Sequence, residues 1–127
     1  MPKPTVSKLK KKLDEIYSKY IRNKYVDKDG YCTCVTCGVK KHWKEMQNGH
    51  YIPRTHNSTR WYDRNCHPQC VSCNVFMKGR MDEYALFLVW TYGQGILEEL
   101  HKKKSEIFPL KTFWLEEQIK YYSELIR

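Results

Sequence analysis

Missing from this sequence is any apolar run near the roughly 18–20 residues that a membrane-spanning helix needs. Its opening stretch, MPKPTVSKLKKKL, has no hydrophobic centre of the kind a signal peptide carries. The expected setting is the cytoplasm, with no membrane partner. Acidic residues are in deficit: 14 Asp and Glu face 23 Lys and Arg, giving a formal charge of +9. The positive residues recur along the chain instead of forming one tail, so a polyanion is the natural partner, bound by steering and counterion release and weakened steeply by salt. A well-solvated surface would carry the same surplus, so charge alone does not single out nucleic acid. There is no low-complexity linker, and no internal repeat beyond two short cysteine motifs.

What is present fits one domain over residues 1–127, within the usual span of roughly 100–150 residues. Hydrophobic residues make up 41% and aromatics 14%, enough for a core, while 29% charged residues argue against a membrane or fibrous protein. Six cysteines in a reducing compartment point to metal rather than disulfides, because four of them form two CxxC pairs.

Residues 5–22 place Leu9, Leu13, Ile16 and Tyr20 at helical spacing, with the lysines mostly off that stripe: a basic amphipathic helix packed on the core. From about 31 to 80 helical periodicity gives way to glycines, cysteines, histidines and short β-prone pieces. This segment is short for a secure core of its own, whereas a structural zinc supplies about 10–16 kcal/mol of apparent binding energy near neutral pH. Residues 81–127 read as helical: MDEYALFLVWTYG is apolar nearly all round, as expected of a buried helix, and Gly93 and Gly95 end it. A helix from Ile96 runs acidic to basic in the sense that complements its dipole. Pro109 breaks the chain, and Leu115, Ile119, Tyr122 and Ile126 stripe a last helix over 111–126.

CVTCG supplies Cys34 and Cys37, and CVSCN supplies Cys70 and Cys73. Two residues between cysteines let both thiolates turn to one ion at about 2.3 Å, and four thiolates close the tetrahedron, so this zinc is structural and the chemistry lies elsewhere. Cys32 is an alternative to Cys34, and Cys66 sits four residues before Cys70; both are more often small buried thiols. Between the pairs lie 32 residues, against about 15–20 in a zinc ribbon. The insert reads as a strand in EMQNGHYIP, a turn in RTHNS, a strand in TRWYD and a helix from near Gln69 to Gly79.

This order, with knuckles bracketing a hairpin, resembles the ββα-metal or HNH nuclease fold, through His50 followed by Pro53, Asn65 five residues before Cys70, and Asn74 directly after Cys73. Over roughly residues 31–100 the chain is similar to the NinG/Rap recombination proteins of lambdoid phages, through CVTCG, GHY, RWYDRNCHPQCVSCN and KGR. The resemblance implies an α+β fold, a zinc-stabilised ββα-metal core flanked by N- and C-terminal helices. It also implies a structure-selective DNA endonuclease acting on branched recombination intermediates, in the cytoplasm of a host cell.

Phosphodiester hydrolysis needs a base for water, an electrophile for phosphorus and support for the leaving oxygen. His50 suits the base, being neutral near its reference pKa of about 6.5, and Asn65 suits its orienter. Asn74 is an oxygen ligand for a catalytic Mg²⁺ or Mn²⁺. HNH motifs mostly carry Asp or His just before the base, where this chain has Gly49. His67 and Asp63 are the nearest candidates to complete the site, His67 ahead. Arg54, Arg60, Arg64, Lys78 and Arg80 flank the expected pocket as phosphate contacts. A homodimer through the terminal helices would provide the two active sites that symmetric cutting requires. The rival expectation is a zinc-organised DNA-binding recombination mediator without catalysis.

Overall fold

The computed structural model describes residues 3–127. Helix α1 spans Val6–Asn23, started by Thr5, whose hydroxyl oxygen accepts from the Lys8 amide at 3.2 Å. Its buried line is Leu9, Leu13, Tyr17 and Ile21, not the Leu9, Leu13, Ile16 and Tyr20 of the sequence reading. Spacings of three and four share one helix face, and the partner helix lies over the unbroken i+4 row. That partner is α5, Thr112–Leu125, which buries Leu115 and Ile119 against α1. Each such side chain taken from water contributes about 1.5–3 kcal/mol. Leu115 and Ile119 of the last apolar stripe are therefore used within one chain.

Two small antiparallel sheets follow. Strands β1 (Tyr31–Thr33) and β2 (Lys40–His42) pair with Cys32 opposite Lys41. The connection turns at Gly38, whose φ of 81° favours glycine. Strands β3 (Met46–His50) and β4 (Cys66–Cys70) pair with Met46 opposite Cys70 and His50 opposite Cys66.

The second strand of this hairpin is thus CHPQC, and the expected strand in TRWYD is instead a one-turn helix, α2 (Asn57–Arg60), followed by a 3₁₀ turn at Asp63–Asn65. The helix expected from Gln69 begins later, as a π-helical turn at Ser72–Phe76. Every residue of β4 is buried, so the strand lacks the in–out alternation that sequence patterning detects.

Helices α3 (Met81–Tyr92) and α4 (Ile96–Lys104) enclose a separate apolar cluster with Ile52, built on Tyr84, Leu88, Ile96 and Leu100. Gly93, with φ 98°, ends α3. The expectation of an all-round buried helix fails here: Leu86 is 65% and Trp90 91% exposed, because only the Tyr84–Leu88 side faces the body. No helix among the described residues is long and apolar enough to cross a membrane.

Candidate active site and metal centre

The four ligands chosen from the CxxC spacing converge. The Sγ atoms of Cys34, Cys37, Cys70 and Cys73 lie within 4.8 Å of one another, and Cys37 and Cys70 are 3.7 Å apart. Bonds of about 2.3 Å in a tetrahedron require edges of about 3.8 Å, so the cluster fits a structural Zn²⁺. Burial raises the Cys34 thiol, but the Thr36 hydroxyl and the amides of Cys70, Cys37 and Thr36 outweigh it and bring it down to about 6. Cys32 and Cys66 are buried outside the cluster. The Val35 amide donates to the Pro68 carbonyl at 3.1 Å, fastening the first knuckle to β4. Arg80 lies beside the Cys73 thiol, which raises its pKa, and 3.9 Å from Glu83. It faces the cysteine cluster rather than the pocket expected of a phosphate contact. Lys78 is exposed in the turn behind the second knuckle, with φ 51°.

The β3 strand ends in His50, whose Nε2 lies 2.9 Å from the Arg60 carbonyl oxygen. A carbonyl only accepts, so Nε2 carries the proton and Nδ1 keeps its lone pair. Burial lowers the His50 pKa, with the Arg60 carbonyl and Asp14 opposing and Arg54 reinforcing, so the ring is neutral at cellular pH. Beside it opens a polar cavity of about 430 Å³, walled by Asp14, Gln47, Asn48, His50, Arg54 and Asn74 together with Ser18. The Asn74 amide donates to Gln47 Oε1 at 2.7 Å, which leaves its own carbonyl oxygen for a ligand. Asn48 Oδ1 has no hydrogen-bond partner.

Helix α1 supplies Asp14 and Ser18 to this wall, on a face turned toward β3; one turn further, Arg22 donates to the Trp43 carbonyl at 3.3 Å and the Met46 carbonyl at 3.5 Å. Asp14 accepts from Arg60 through both oxygens, at 3.0 Å for Nε, from Trp61 Nε1 at 3.0 Å, and pairs with Arg54 at 3.7 Å. Arg60 is thus committed inside the protein, while Arg54 has a side chain 61% exposed. Arg64 turns away to Glu99 at 2.9 Å.

Three expected site residues do different work. Asn65 does not touch the His50 ring; fully buried, its Oδ1 accepts from the Ile52 amide at 2.8 Å and its Nδ2 donates to the Ile52 and Thr59 carbonyls, each at 3.1 Å. It clamps both ends of the loop leading to Arg60, so the Arg60 carbonyl is the direct orienter. Asp63 gives its carboxylate to the Tyr17 hydroxyl at 2.6 Å, the Tyr20 hydroxyl at 3.0 Å and Lys24 at 3.3 Å, and is absent from the cavity wall.

His67 is only 5% exposed, with Nδ1 2.9 Å from the Tyr84 hydroxyl and Nε2 2.7 Å from the Tyr92 hydroxyl. Tyr84 gives its proton to the Gly49 carbonyl at 2.7 Å. Nδ1 of His67 must therefore donate to Tyr84, and Nε2 accept from Tyr92. This buried chain ends on the peptide that precedes His50. Burial brings the His67 pKa down to about 4. No ring atom is left for a cation or a substrate.

Gly49 has a steric reason to be glycine. A Cβ there would stand 1.9 Å from Gln69 Oε1, a side chain that is itself fully buried. The slot before the histidine is filled by this glutamine, which donates to Thr36 Oγ1 at 3.1 Å and the Gly79 carbonyl at 2.9 Å.

Asp14, Ser18, Gln47 and Asn48 were not anticipated at the site. Asn48 had a readable signal, since residues two apart on a strand share a face and Asn48 and His50 both lie in β3. Asp14 had none, because it stands 36 residues before His50 on a helix without motif.

A family model described as Bacteriophage Lambda NinG protein matches residues 3–127, and the chain belongs to that family. No curated protein and no solved structure matches it.

Proposed function

We propose that this protein is a metal-dependent DNA endonuclease of the ββα-metal type that cuts branched recombination intermediates such as Holliday junctions and D-loops. The observation that carries the reading is the His50 ring: Nε2 is held by the Arg60 carbonyl at 2.9 Å, so the basic Nδ1 remains to take a proton from water at the polar cavity. The β3–β4 hairpin followed by the Ser72–Phe76 turn supports a ββα-metal core, with the four-cysteine cluster bracing it.

The cavity lining fits a hard divalent cation through its two asparagines: Asn74 keeps its carbonyl oxygen free, and the unpartnered Asn48 Oδ1 is an acceptor without a donor. Asn74 would hold Mg²⁺ or Mn²⁺ through its carbonyl oxygen. Bound there, the ion supplies Lewis-acid support for the phosphate and the leaving 3′-oxygen. The protein's own groups orient and deprotonate. Arg60 fixes the tautomer of His50, Asp14 fixes Arg60, and Arg54 brings positive charge to the phosphate.

A second reading, a zinc-organised DNA-binding recombination mediator, is favoured by one observation. Asp14 is the only carboxylate on the cavity wall, and it is already held by arginine and tryptophan. A nicking assay on branched and linear DNA with Mg²⁺ and with Mn²⁺ separates the two. The endonuclease predicts metal-dependent cuts that fall by about 10²–10⁴-fold in His50→Ala, with zinc content and DNA binding retained. Binding without cleavage in either metal establishes the mediator.

A further inference from the structure

Alongside the His50 cavity lies a second open depression, of about 580 Å³, lined by Ser7, Lys10 and Lys11 of α1 with Arg54 and Arg60 opposite. Asp14 and Arg54 belong to the walls of both, so the two hollows adjoin, and together they form a channel. Its floor is a single face of α1: residues 7, 11, 14 and 18 recur at the i+3 and i+4 spacing that stacks side chains along a helix. Ser18 and Asp14 stand at the cavity end, and Lys11, Lys10 and Ser7 lead away from it.

The charge in the channel is one-sided. Asp14 is its one acid, and Arg60 neutralises it in a bidentate pair. Neither Lys10 nor Lys11 is ion-paired among the described residues, whereas Lys24, Lys40, Arg64 and Lys102 each have a carboxylate. No acidic residue occupies the first turn of α1, so the helix's own partial positive charge is left uncancelled at the far end. From Asp14 to Ser7 the helix rises about 10 Å, the rise of about three nucleotides of one duplex strand.

We propose that this channel binds the DNA backbone on one side of the scissile phosphate, with Lys10 and Lys11 holding the next phosphates along the strand. The inference rests on the endonuclease reading for the site at its end, and adds the path of the substrate. A solvated lysine face would carry the same residues, but it would have no reason to line a hollow that shares its wall with the base's cavity.

The test is equilibrium binding of the full zinc-loaded chain carrying His50→Ala, titrated by fluorescence anisotropy against a branched duplex over a range of salt. Adding Lys10→Ala with Lys11→Ala is expected to weaken binding at least tenfold and reduce the slope of log K against log salt by about 1.8, the value for two phosphate contacts. Lys10→Arg with Lys11→Arg restores the slope, and Lys120→Ala on α5 leaves it unchanged. Replacing the three phosphates on one side of the cut with neutral methylphosphonates weakens the Lys10/Lys11-intact protein, and has little further effect once both lysines are alanine. Tight, salt-dependent binding with an unaltered slope in the double alanine variant overturns the channel while leaving the endonuclease reading intact. Equal sensitivity to neutral phosphates on both sides does the same. Failure of the Lys10/Lys11-intact protein to bind DNA overturns both readings.

Discussion

His50 Nε2 and the Arg60 carbonyl oxygen stand 2.9 Å apart, joining the end of β3 to the one-turn helix α2. The contact selects the tautomer with a bare Nδ1, and burial holds the ring pKa below its ordinary value. On the proposed endonuclease reading, protonation removes the base, so kcat/KM for nicking is expected to fall as pH drops through this pKa, with the midpoint below the reference of about 6.5. Asp14 raises the His50 pKa, so Asp14→Asn shifts the acidic limb further down. It also removes a charged partner of Arg60, at about 1.5–3 kcal/mol of stability. A pH–rate profile of both proteins between about pH 4.5 and 8 checks the order of the two limbs; an acidic limb above the reference value sinks this account.

Zinc removal is expected to unfold the middle of the chain. The four sulfurs join the loop after β1 to the end of β4, and with every cysteine free of disulfides no side-chain cross-link holds the knuckles together without the ion. Cys70→Ser should bind less than one zinc per chain and lose cooperative unfolding, since about 10–16 kcal/mol of apparent metal-binding energy drives folding of such sites. Zinc stoichiometry with circular dichroism before and after chelation measures it, and an unchanged fold in the chelated protein would count against a structural role.

His67 predicts a dependence of stability on acid. Its pKa falls from 6.5 to about 4 on folding, led by burial, so the unfolded chain binds the extra proton. The contribution is complete above about 6.5 and is lost as pH falls toward about 4, by at most about 1.4 kcal/mol per pH unit. His67→Gln removes this part of the slope, and it costs about 1–3 kcal/mol at neutral pH by disrupting the links to Tyr84 and Tyr92. Urea unfolding of both proteins at pH 7 and pH 5 gives the difference; parallel pH dependences would refute the assignment.

Restoring an acid before the base should fail. Gly49→Asp places a side chain where Gln69 Oε1 stands 1.9 Å from the Cβ position, and overpacking of this kind costs about 1–3 kcal/mol. Gly49→Ala alone is expected to lower the melting temperature, and pairing it with Gln69→Ala to recover part of the loss. If Gly49→Asp melts with the unsubstituted protein, the glutamine is not what closes the slot.

Sequence patterning and structure part company at identifiable places. The i+4 rows announced α1 and α5, but Tyr17 and Ile21 complete the fully buried row of α1, while Ile16 and Tyr20 pack half-buried at the edge of the same cluster, Tyr20 against Tyr122 of α5. The strand β4 was hidden: CHPQC holds a proline and is buried along its whole length, so neither alternation nor β propensity marked it. At the site, Asn65 is expected from its spacing before Cys70 and the tautomer-fixing chemistry of an amide, and His67 and Asp63 as the nearest candidates to complete the site. Their partners, the Ile52 and Thr59 carbonyls, two tyrosines of α3, and Tyr17 with Tyr20, lie on other elements.

By itself the sequence pointed to Cys34, Cys37, Cys70 and Cys73 as metal ligands, because two residues between cysteines let both sulfurs of a pair turn toward one ion; that Cys34 rather than Cys32 joins them, and that the two pairs meet, was decided by the fold. It likewise announced the helices whose apolar rows repeat at the pitch of the backbone. Only the tertiary structure decided which polar groups meet His50. The Arg60 carbonyl belongs to the backbone and has no sequence signature, and Asp14 reaches the cavity because α1 lies across β3. A polar side chain's role follows from the nearest donor or acceptor in space, and chain spacing does not record that distance.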